Sequence, residues 1–496
     1  MPRIDADVVI IGSGAGGGTV AARLGELAAR GRRVVVFEQG PRFATAHFSG
    51  RETEMGELLY RSGGAFMTAD GTVSLAFAEA YGGSTLVYTG TSLMPPERVI
   101  ANWNIPGLDP ADLTARARHY ALDNHVHIVP EEELNDNNRL FAAGCDRLGW
   151  KATRFPVNTR GCKGSSLCNL GCPNGAKQGT HAVQLPQAAA AGVEIVTRAR
   201  VRAVAEGRVV VDVDETLHPL GYRSEWAPGR YEVRARKVVV AGGAVGSPAL
   251  LLRSGLNAAL PALGRYFTCQ PAHILVGEHD RPLANAVGHP KSYLWDERIE
   301  QDRAFLEVCM YPPFITAKNM SGFGPEHESF MTAFDRLQMI LVLACDEALP
   351  HHRVAINRRG EPQVQYRLTP ATIEALVRGT RAAAKIFFAA GARSVHAPSA
   401  RPMRLMHSDA GRIDELVTTR HFKPGTISVS AAHLMGGCRM GLNARDSVTD
   451  GHGRVHGQPW LYIADASLFR SALETNPYLT IMALADSVAE AVLEEG

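Results

Sequence analysis

The segment that constrains the fold most strongly is residues 8–17, which read VVIIGSGAGG. A β-branched apolar run leads directly into Gly12, Gly14 and Gly17 in the order G-x-G-x-x-G, and a helical pattern of apolar residues follows. Glycines in this order allow a tight turn and bring the backbone at a helix N-terminus close to a pyrophosphate. The segment therefore predicts a βαβ unit that binds a dinucleotide.

The second predicted strand, Val34 to Phe37, ends in an acidic residue. Glu38 lies about 20 residues after Gly17, where a carboxylate accepts hydrogen bonds from a ribose and disfavours a 2′-phosphate. Strand, turn, helix, strand and acid occur in the required order, so the motif indicates more than a glycine-rich turn. These residues leave open whether the dinucleotide is NAD or FAD.

The composition limits the classes of partner. The 496 residues include 52 Lys plus Arg and 50 Asp plus Glu, so no bulk charge favours nucleic acid or an anionic membrane. No apolar stretch reaches the ~18 residues of a membrane span. The first strand begins close to the N-terminus and leaves no room for a secretory signal, so we expect a cytoplasmic protein. Eight cysteines without a signal argue against a disulfide framework.

Three further stretches identify a family resemblance. They are YGGSTLVY at residues 81–88, GAVGSPALLLRSGL at residues 243–256 and SAAHLMGGCRMG at residues 430–441. Together with the glycine turn, they resemble the glucose-methanol-choline (GMC) family of flavin oxidoreductases. The resemblance implies that the dinucleotide is FAD. By similarity, the FAD-binding residues are Gly12, Gly14, Gly17, Glu38, Gly83, Ser84, Val201, Asp465 and Ala466.

The candidate catalytic residues come from the same resemblance. His433 matches the histidine of the family's H-x-x-G-G-C stretch, which faces the flavin, and Asn476 in the sequence TNP matches its partner residue. Hydride transfer from an alcohol carbon requires that the hydroxyl proton also leaves. A neutral imidazole accepts such a proton near neutral pH, and an amide can orient the same oxygen.

A cysteine-rich loop, GCKGSSLCNLGCPNGAK at residues 161–177, carries Cys162, Cys168 and Cys172. The spacing C-x5-C-x3-C followed by proline resembles the bacterial FAD-dependent glucose dehydrogenases of the family. That resemblance implies that the three thiolates hold a 3Fe-4S cluster, through which electrons leave the flavin. Three alternatives stay open from the residues themselves: structural zinc with His181 as a fourth ligand, a disulfide, or buried thiols.

The predicted fold is α/β, with a Rossmann-like FAD-binding domain and a second α+β substrate-binding domain built on a sheet. The FAD-binding domain is expected to comprise residues 1–60, 183–265 and 425–496. An excursion at 61–182 carries the flavin loop and the cysteine loop, and 266–424 forms the substrate-binding domain. Within this last segment we expect strands such as Val364 to Leu368 and a helix from about Ala371 to Ala390.

We therefore expect an FAD-dependent alcohol dehydrogenase that acts on an aromatic, apolar, sterol-like or sugar alcohol. Its electrons would pass through the iron–sulfur cluster to a cytochrome, another redox protein or a quinone. Two alternatives are an oxidase that reduces O2 to H2O2 with structural cysteines, and a flavin-dependent isomerase without net redox change. By similarity to the glucose dehydrogenases, a small subunit could mature the protein and carry it out of the cytoplasm.

Overall fold

Two large sheets, each covered by helices, organise the computed structural model of this chain. The structure describes residues 1–216, 218–320, 322–399, 403–423 and 426–494. Its strands are β1 Arg3–Ile11, β2 Val34–Phe37, β3 Val73–Leu75, β4 Val126–His127, β5 Thr153–Arg154, β6 Val157–Asn158, β7 Glu194–Val196, β8 Ala199–Ala205, β9 Arg208–Val213, β10 Gly229–Val240, β11 Thr268–Cys269, β12 Ala272–Glu278, β13 Tyr293–Trp295, β14 Ala304–Val308, β15 Leu337–Ala344, β16 Arg353–Ile356, β17 Pro362–Gln365, β18 Ser394–His396, β19 Arg404–Met406, β20 Val429–Ala431, β21 Leu434–Met435 and β22 Leu461–Ile463.

The α-helices lie between these strands. They are α1 Ala15–Arg23, α2 Gly25–Ala29, α3 Glu52–Leu59, α4 Glu97–Ala101, α5 Pro110–Asp123, α6 Asp136–Arg147, α7 Gln184–Ala190, α8 Gly243–Arg253, α9 Ile299–Asp302, α10 Pro313–Asn319, α11 Pro325–Thr332, α12 Pro370–Ala389, α13 Ile413–Leu416 and α14 Tyr478–Glu494. No helix in the described ranges combines the length and apolar character needed to cross a bilayer.

The first sheet has β1 at its centre. Strand β1 pairs in parallel with β2 and β10, β7 adds to β2, and β22 adds to β10, all in parallel. Residues Val8–Ile11 and Val34–Phe37 are buried throughout, as expected for parallel strands covered on both faces. Helix α14 packs against α1 and α5 on this sheet. The glycine turn therefore lies at the carboxyl end of a central strand, where α/β sheets place their ligands.

The second sheet is mostly antiparallel and runs in the order β19-β18-β12-β15-β14-β13-β5. Helix α12 packs on β12, β14 and β15, and it begins where the Thr369 hydroxyl accepts a hydrogen bond from the Thr372 N–H. The helix expected from about Ala371 to Ala390 is thus present as α12, which begins one residue earlier than expected. The predicted strand Val364 to Leu368 is instead β17, which ends at Gln365 and pairs with β16 outside the large sheet.

The α/β fold class, with a Rossmann-like domain and a second sheet-based domain, is confirmed. The division of the chain at the expected residue boundaries stays a prediction, and the boundary at 424/425 falls outside the described residues. Strand β20 lies in the segment assigned to FAD binding, yet it pairs with β12 of the second sheet and with β3. The connection from β20 to β21 therefore runs along the junction of the two sheets.

Candidate active site

The glycine turn leaves one face of the backbone open. A Cβ atom at Gly12, whose φ is +101°, would lie 2.3 Å from the Ala241 carbonyl oxygen, and one at Gly17 would lie 2.0 Å from the Gly12 oxygen. A Cβ at Gly14 would meet nothing closer than 3.9 Å. Gly12 and Gly17 are thus required for close packing, whereas Gly14 exposes the N-terminus of α1, which no side chain caps. This uncapped N-terminus suits a phosphate group.

Glu38 closes the other side of the turn. Its carboxylate accepts hydrogen bonds from the Ser13 N–H at 3.0 Å, the Ser13 hydroxyl at 2.6 Å and the Gly40 N–H at 2.8 Å. Burial raises the pKa of this carboxyl, and the hydrogen bonds oppose the rise. The end of β2 is therefore fixed directly against the turn after β1.

The segment that contains Gly83 and Ser84 lies against the glycine turn. A Cβ added at Gly83 would approach the Gly14 Cα to 2.8 Å, so the two backbones are in contact. The Ser84 hydroxyl accepts a hydrogen bond from the Ala78 N–H at 3.1 Å. Both predicted flavin-loop residues are thus brought next to the predicted pyrophosphate site.

Asp465 follows β22 and holds the N-terminus of α8. Its carboxylate accepts hydrogen bonds from the Gly243 N–H at 2.8 Å, the Ser247 hydroxyl at 2.5 Å and the Ser467 N–H at 2.8 Å. Burial raises the pKa of Asp465, opposed by these hydrogen bonds. The Asp465 carboxylate is therefore hydrogen-bonded mainly to groups of the protein. These bonds fix the conformation of the neighbouring backbone.

One cavity of about 1010 Å³ joins these features to the second sheet. The predicted site residues that line it are Gly12, Gly14, Glu38, Gly83, Ser84, Val201, His433, Asp465, Ala466 and Asn476. Gly17 does not line the cavity, in keeping with its packing role. The cavity thus brings together residues from almost the whole length of the chain.

His433 lies between β20 and β21, at the junction of the two sheets. Its Nε2 is 3.2 Å from the Nδ2 of Asn476, and its Nδ1 is 2.5 Å from the Oε1 of Gln270. Burial, assisted by the charge of Lys291, lowers the pKa of His433 to about 3. The imidazole is therefore neutral across the physiological pH range, as a proton acceptor must be.

Asn476 belongs to the turn that precedes α14. Its side chain is buried, and its Oδ1 atom has no hydrogen-bond partner among the described residues. A buried amide oxygen without a partner is costly unless a bound molecule supplies a donor. Asn476 and His433 therefore form a polar corner that suits a hydroxyl-bearing or N–H-bearing ligand.

Two residues of this corner escaped the sequence analysis. Gln270 follows β11 and contacts the ring of His433, and Lys291 lines the same cavity in an ion pair with Glu307. Glu307 belongs to β14 and is fully buried. Neither Gln270 nor Lys291 lies in a recognisable sequence motif, so only the pairing of distant strands could show that they belong to this site.

The cysteine loop lies beside the cavity without placing its thiols in the lining, to which it contributes Asn169 and Leu170. All eight cysteines are free. The Gly164 N–H donates to the Cys162 sulfur at 3.4 Å, and the Ala176 N–H donates to the Cys172 sulfur at 3.3 Å. No group of three or more His, Cys, Asp or Glu side chains in the described ranges could hold a metal ion. The predicted cluster thus receives no support from a metal site.

A buried lysine connects this loop to the flavin loop. Lys177 Nζ donates to the carbonyl oxygens of Cys168 at 2.6 Å and Leu86 at 2.9 Å. Burial lowers the pKa of Lys177 to about 8, while the charges of nearby thiolates would raise it. Burial raises the pKa of Cys168 to about 11, and Lys177 opposes that rise. The loop is therefore fixed on the wall of the cavity, and burial favours the protonated form of the Cys168 thiol.

Family profiles match most of the chain. Residues 56–272 and residues 353–485 each match a profile described as GMC oxidoreductase, and residues 10–79 match a profile described as an NAD(P)-binding Rossmann-like domain. The matched segments include both the flavin loop and the polar corner around His433. The family predicted from the motifs is therefore confirmed by matches in both halves of the chain.

Individual relatives support the same family assignment. A GMC-type oxidoreductase of Mycobacterium tuberculosis is 34% identical over 494 residues, which cover 98% of this chain and 75% of the relative. The long-chain-alcohol oxidase FAO1 of Arabidopsis thaliana is 26% identical over 535 residues, covering 99% and 67%. Pyridoxine 4-oxidase from Mesorbium loti matches in structure with a TM-score of 0.71 and 18% identity over 99% of both chains, which is a likeness of fold. The chain belongs to the GMC oxidoreductase family and is an FAD-dependent oxidoreductase.

Proposed function

We propose that the protein oxidises the CH–OH group of an apolar alcohol to a carbonyl, with His433 as the base and Asn476 as the orienting residue. The observation that carries this proposal is the placement of the His433–Asn476 pair in the same cavity as the glycine turn. The uncapped N-terminus of α1 and the Asn476 Oδ1 without a partner fit a bound dinucleotide and a bound substrate.

The chemistry divides between the cofactor and the chain. FAD, when bound, provides the acceptor for the hydride that leaves the alcohol carbon. His433 Nε2 accepts the hydroxyl proton, so that no positive charge accumulates on the substrate carbon. The Asn476 amide fixes the direction of the same hydroxyl oxygen. Gly12, Gly14 and Glu38 would form the site for the ADP half, and Gly17 would let the turn pack closely beneath it.

The walls of the cavity beyond this corner favour an apolar substrate. Its lining from the second sheet and nearby segments includes Ile274, Met310, Leu341, Leu343 and Ile427. Apolar walls of this kind bind hydrocarbon surface through the hydrophobic effect. The names of the long-chain-alcohol oxidases among the relatives agree with this substrate class.

Two electron acceptors are proposed as alternatives, and each rests on a different observation. Oxygen is favoured by the oxidase names of relatives that match at least 97% of this chain. An iron–sulfur cluster held by Cys162, Cys168 and Cys172, with transfer to a redox protein or quinone, rests on the family spacing alone, because the described side chains include no group of three that could hold a metal ion. The oxidase names of these relatives do not favour the isomerase alternative.

One experiment tests the oxidation. Purified protein is mixed without oxygen with long-chain, aromatic and sugar alcohols, and the absorbance of oxidised flavin is followed. We expect long-chain or aromatic alcohols to bleach the flavin, and His433→Gln to bleach at least ~100-fold more slowly. Conversion of substrate without bleaching would support the isomerase, and absence of bleaching with every alcohol class would contradict the proposal.

A second experiment separates the two acceptors. Iron and acid-labile sulfide are counted per flavin on protein purified without oxygen, and reoxidation is compared with air and with a redox dye. Iron and sulfide near cluster stoichiometry, with slow reaction in air, would support the cysteine route. Iron-free protein that forms hydrogen peroxide would support the oxidase and leave the three thiols with a structural role.

A further inference from the structure

Gln270 stands directly opposite His433 across a short antiparallel pair. In the pairing of β11 with β21, Thr268 faces Met435 and Cys269 faces Leu434. Continuing this register by one residue brings Gln270 to His433, and the side chains meet with 2.5 Å between Oε1 and Nδ1. Gln270 is buried and lines the same cavity.

The orientation of the Gln270 amide follows from its other contacts. Its Nε2 lies 2.5 Å from the Leu473 carbonyl oxygen and 3.2 Å from the Thr475 carbonyl oxygen. Carbonyl oxygens can only accept hydrogen bonds, so both contacts require the NH2 end of the amide. The oxygen end must then point at His433. An amide oxygen also only accepts, and therefore Nδ1 of His433 must carry the ring proton.

We infer that Gln270 is a positioning residue that holds His433 as the Nδ1–H tautomer, so that the lone pair of Nε2 faces Asn476 and the substrate. This inference rests on the proposed role of His433 as the base. The 3.2 Å contact from Asn476 Nδ2 to His433 Nε2 fits this tautomer, because an unprotonated Nε2 accepts that bond until a substrate hydroxyl takes its place. Without Gln270, the proton could move to Nε2 and block the base.

The arrangement also links the base to its partner residue. The carbonyls that orient Gln270 belong to Leu473 and Thr475, in the same turn that carries Asn476. A closed ring of hydrogen bonds thus runs from this turn through Gln270 and His433 and returns to the turn at Asn476. The tautomer of the base and the position of the orienting amide are therefore set together.

The direct test measures the tautomer in the wild-type holoenzyme. Nitrogen-15 NMR of histidine-labelled protein distinguishes protonated from unprotonated ring nitrogens, and the His433 signals are assigned by their loss in His433→Gln. We expect the proton on Nδ1 at neutral pH. A proton on Nε2 would overturn the inference, whether or not the enzyme oxidises an alcohol, because this readout needs no substrate.

Two variants test the consequence for catalysis. In Gln270→Met, which removes the acceptor but keeps the length, we expect kcat to fall about 10- to 100-fold with KM changed less than about threefold, and the His433 proton to move to Nε2. Gln270→Glu keeps an acceptor whose charge stabilises the imidazolium. It should retain the Nδ1 proton and shift the acid limb of kcat/KM to higher pH.

A matched control is available in the second sheet. Gln338 is also buried, and its Oε1 lies 2.9 Å from the Nε2 of His279, away from the cavity lining. Gln338→Met should leave kcat within about twofold and the His433 signals unchanged. Equal loss of kcat in both Met variants, with the His433 tautomer unchanged in both, would reduce Gln270 to a packing residue and overturn the inference.

Discussion

Lys291 and Glu307 form an ion pair beside the candidate active site, in which Glu307 is fully buried and Lys291 is a lining residue of the cavity. The pair lies on the second sheet, whereas the glycine turn lies on the first. Its positive member contributes, after burial, to the lowered pKa of His433. The second sheet thus supplies both the apolar wall and a charge that acts on the base.

The ion pair leads to a prediction about stability and pH. Lys291→Met leaves a buried carboxylate without a partner and should lower the free energy of unfolding by about 3–5 kcal/mol. The double variant Lys291→Met/Glu307→Gln should recover most of this loss. In the double variant the acid limb of kcat/KM should move to higher pH, because the cation that lowers the pKa of His433 is gone. Chemical denaturation and a pH–rate profile measure these effects; an unchanged acid limb would show that burial alone sets the pKa.

His433 should be essential for rate and not for folding. His433→Gln should lower kcat by about 10²- to 10⁴-fold, since the hydroxyl proton loses its acceptor, while FAD content stays unchanged. His396→Gln replaces a half-buried histidine, in β18 and outside the cavity lining, and should retain most of the activity. Steady-state kinetics and flavin absorbance check both. Comparable kcat in the two variants would remove His433 from the mechanism.

Glu38 should control retention of the cofactor. Glu38→Gln turns one acceptor oxygen into an NH2 group that faces existing N–H donors, so the free energy of unfolding should fall by about 1–3 kcal/mol and FAD content should drop. Ser13→Ala removes a hydroxyl that donates to Glu38 and accepts from the Gly82 N–H, but it leaves both backbone N–H donors to Glu38 in place and should have a smaller effect on both. Flavin-to-protein ratios and thermal unfolding measure the difference. A larger loss of FAD in Ser13→Ala would contradict this ranking.

Acid should destabilise the folded chain before most carboxylates protonate. Burial lowers the pKa of a set of histidines from 6.5 to about 3 or about 4: His181, His273, His289, His396 and His433. Below pH 6.5 the unfolded chain binds protons that the folded chain does not, so stability falls as pH decreases through this window. Each group contributes a slope of up to about 1.4 kcal/mol per pH unit.

Thermal unfolding of the holoenzyme between pH 7 and pH 5 tests this linkage. Buried carboxyls whose pKa is raised, such as Glu38 and Asp465, act in the opposite sense but are fewer than the histidines. His273→Gln removes one of the buried histidines outside the cavity and should reduce the pH slope. A melting temperature that stays constant or rises on acidification would contradict the prediction.

The sequence by itself determined the family and the first sheet and predicted the candidate pair His433 and Asn476, because these depend on local patterns. The strand Val34 to Phe37 was predicted at its observed bounds, and the helix expected at about Ala371 to Ala390 is α12. Glycine spacing and apolar periodicity extend over only a few residues, so both can be recognised directly in the sequence. The role of FAD followed from motifs rather than from a general physical pattern.

Tertiary structure decided the environment of those residues. Gln270 lies far from His433 in the chain, and only the β11–β21 register places their side chains together. Lys291 is an ordinary surface-type residue in sequence, yet the second sheet buries it beside the base. Contacts of this kind depend on strand pairing and loop closure across hundreds of residues, which no local pattern encodes. The candidate reacting residues could therefore be proposed from the sequence, whereas the contacts around them depend on how the two sheets pack.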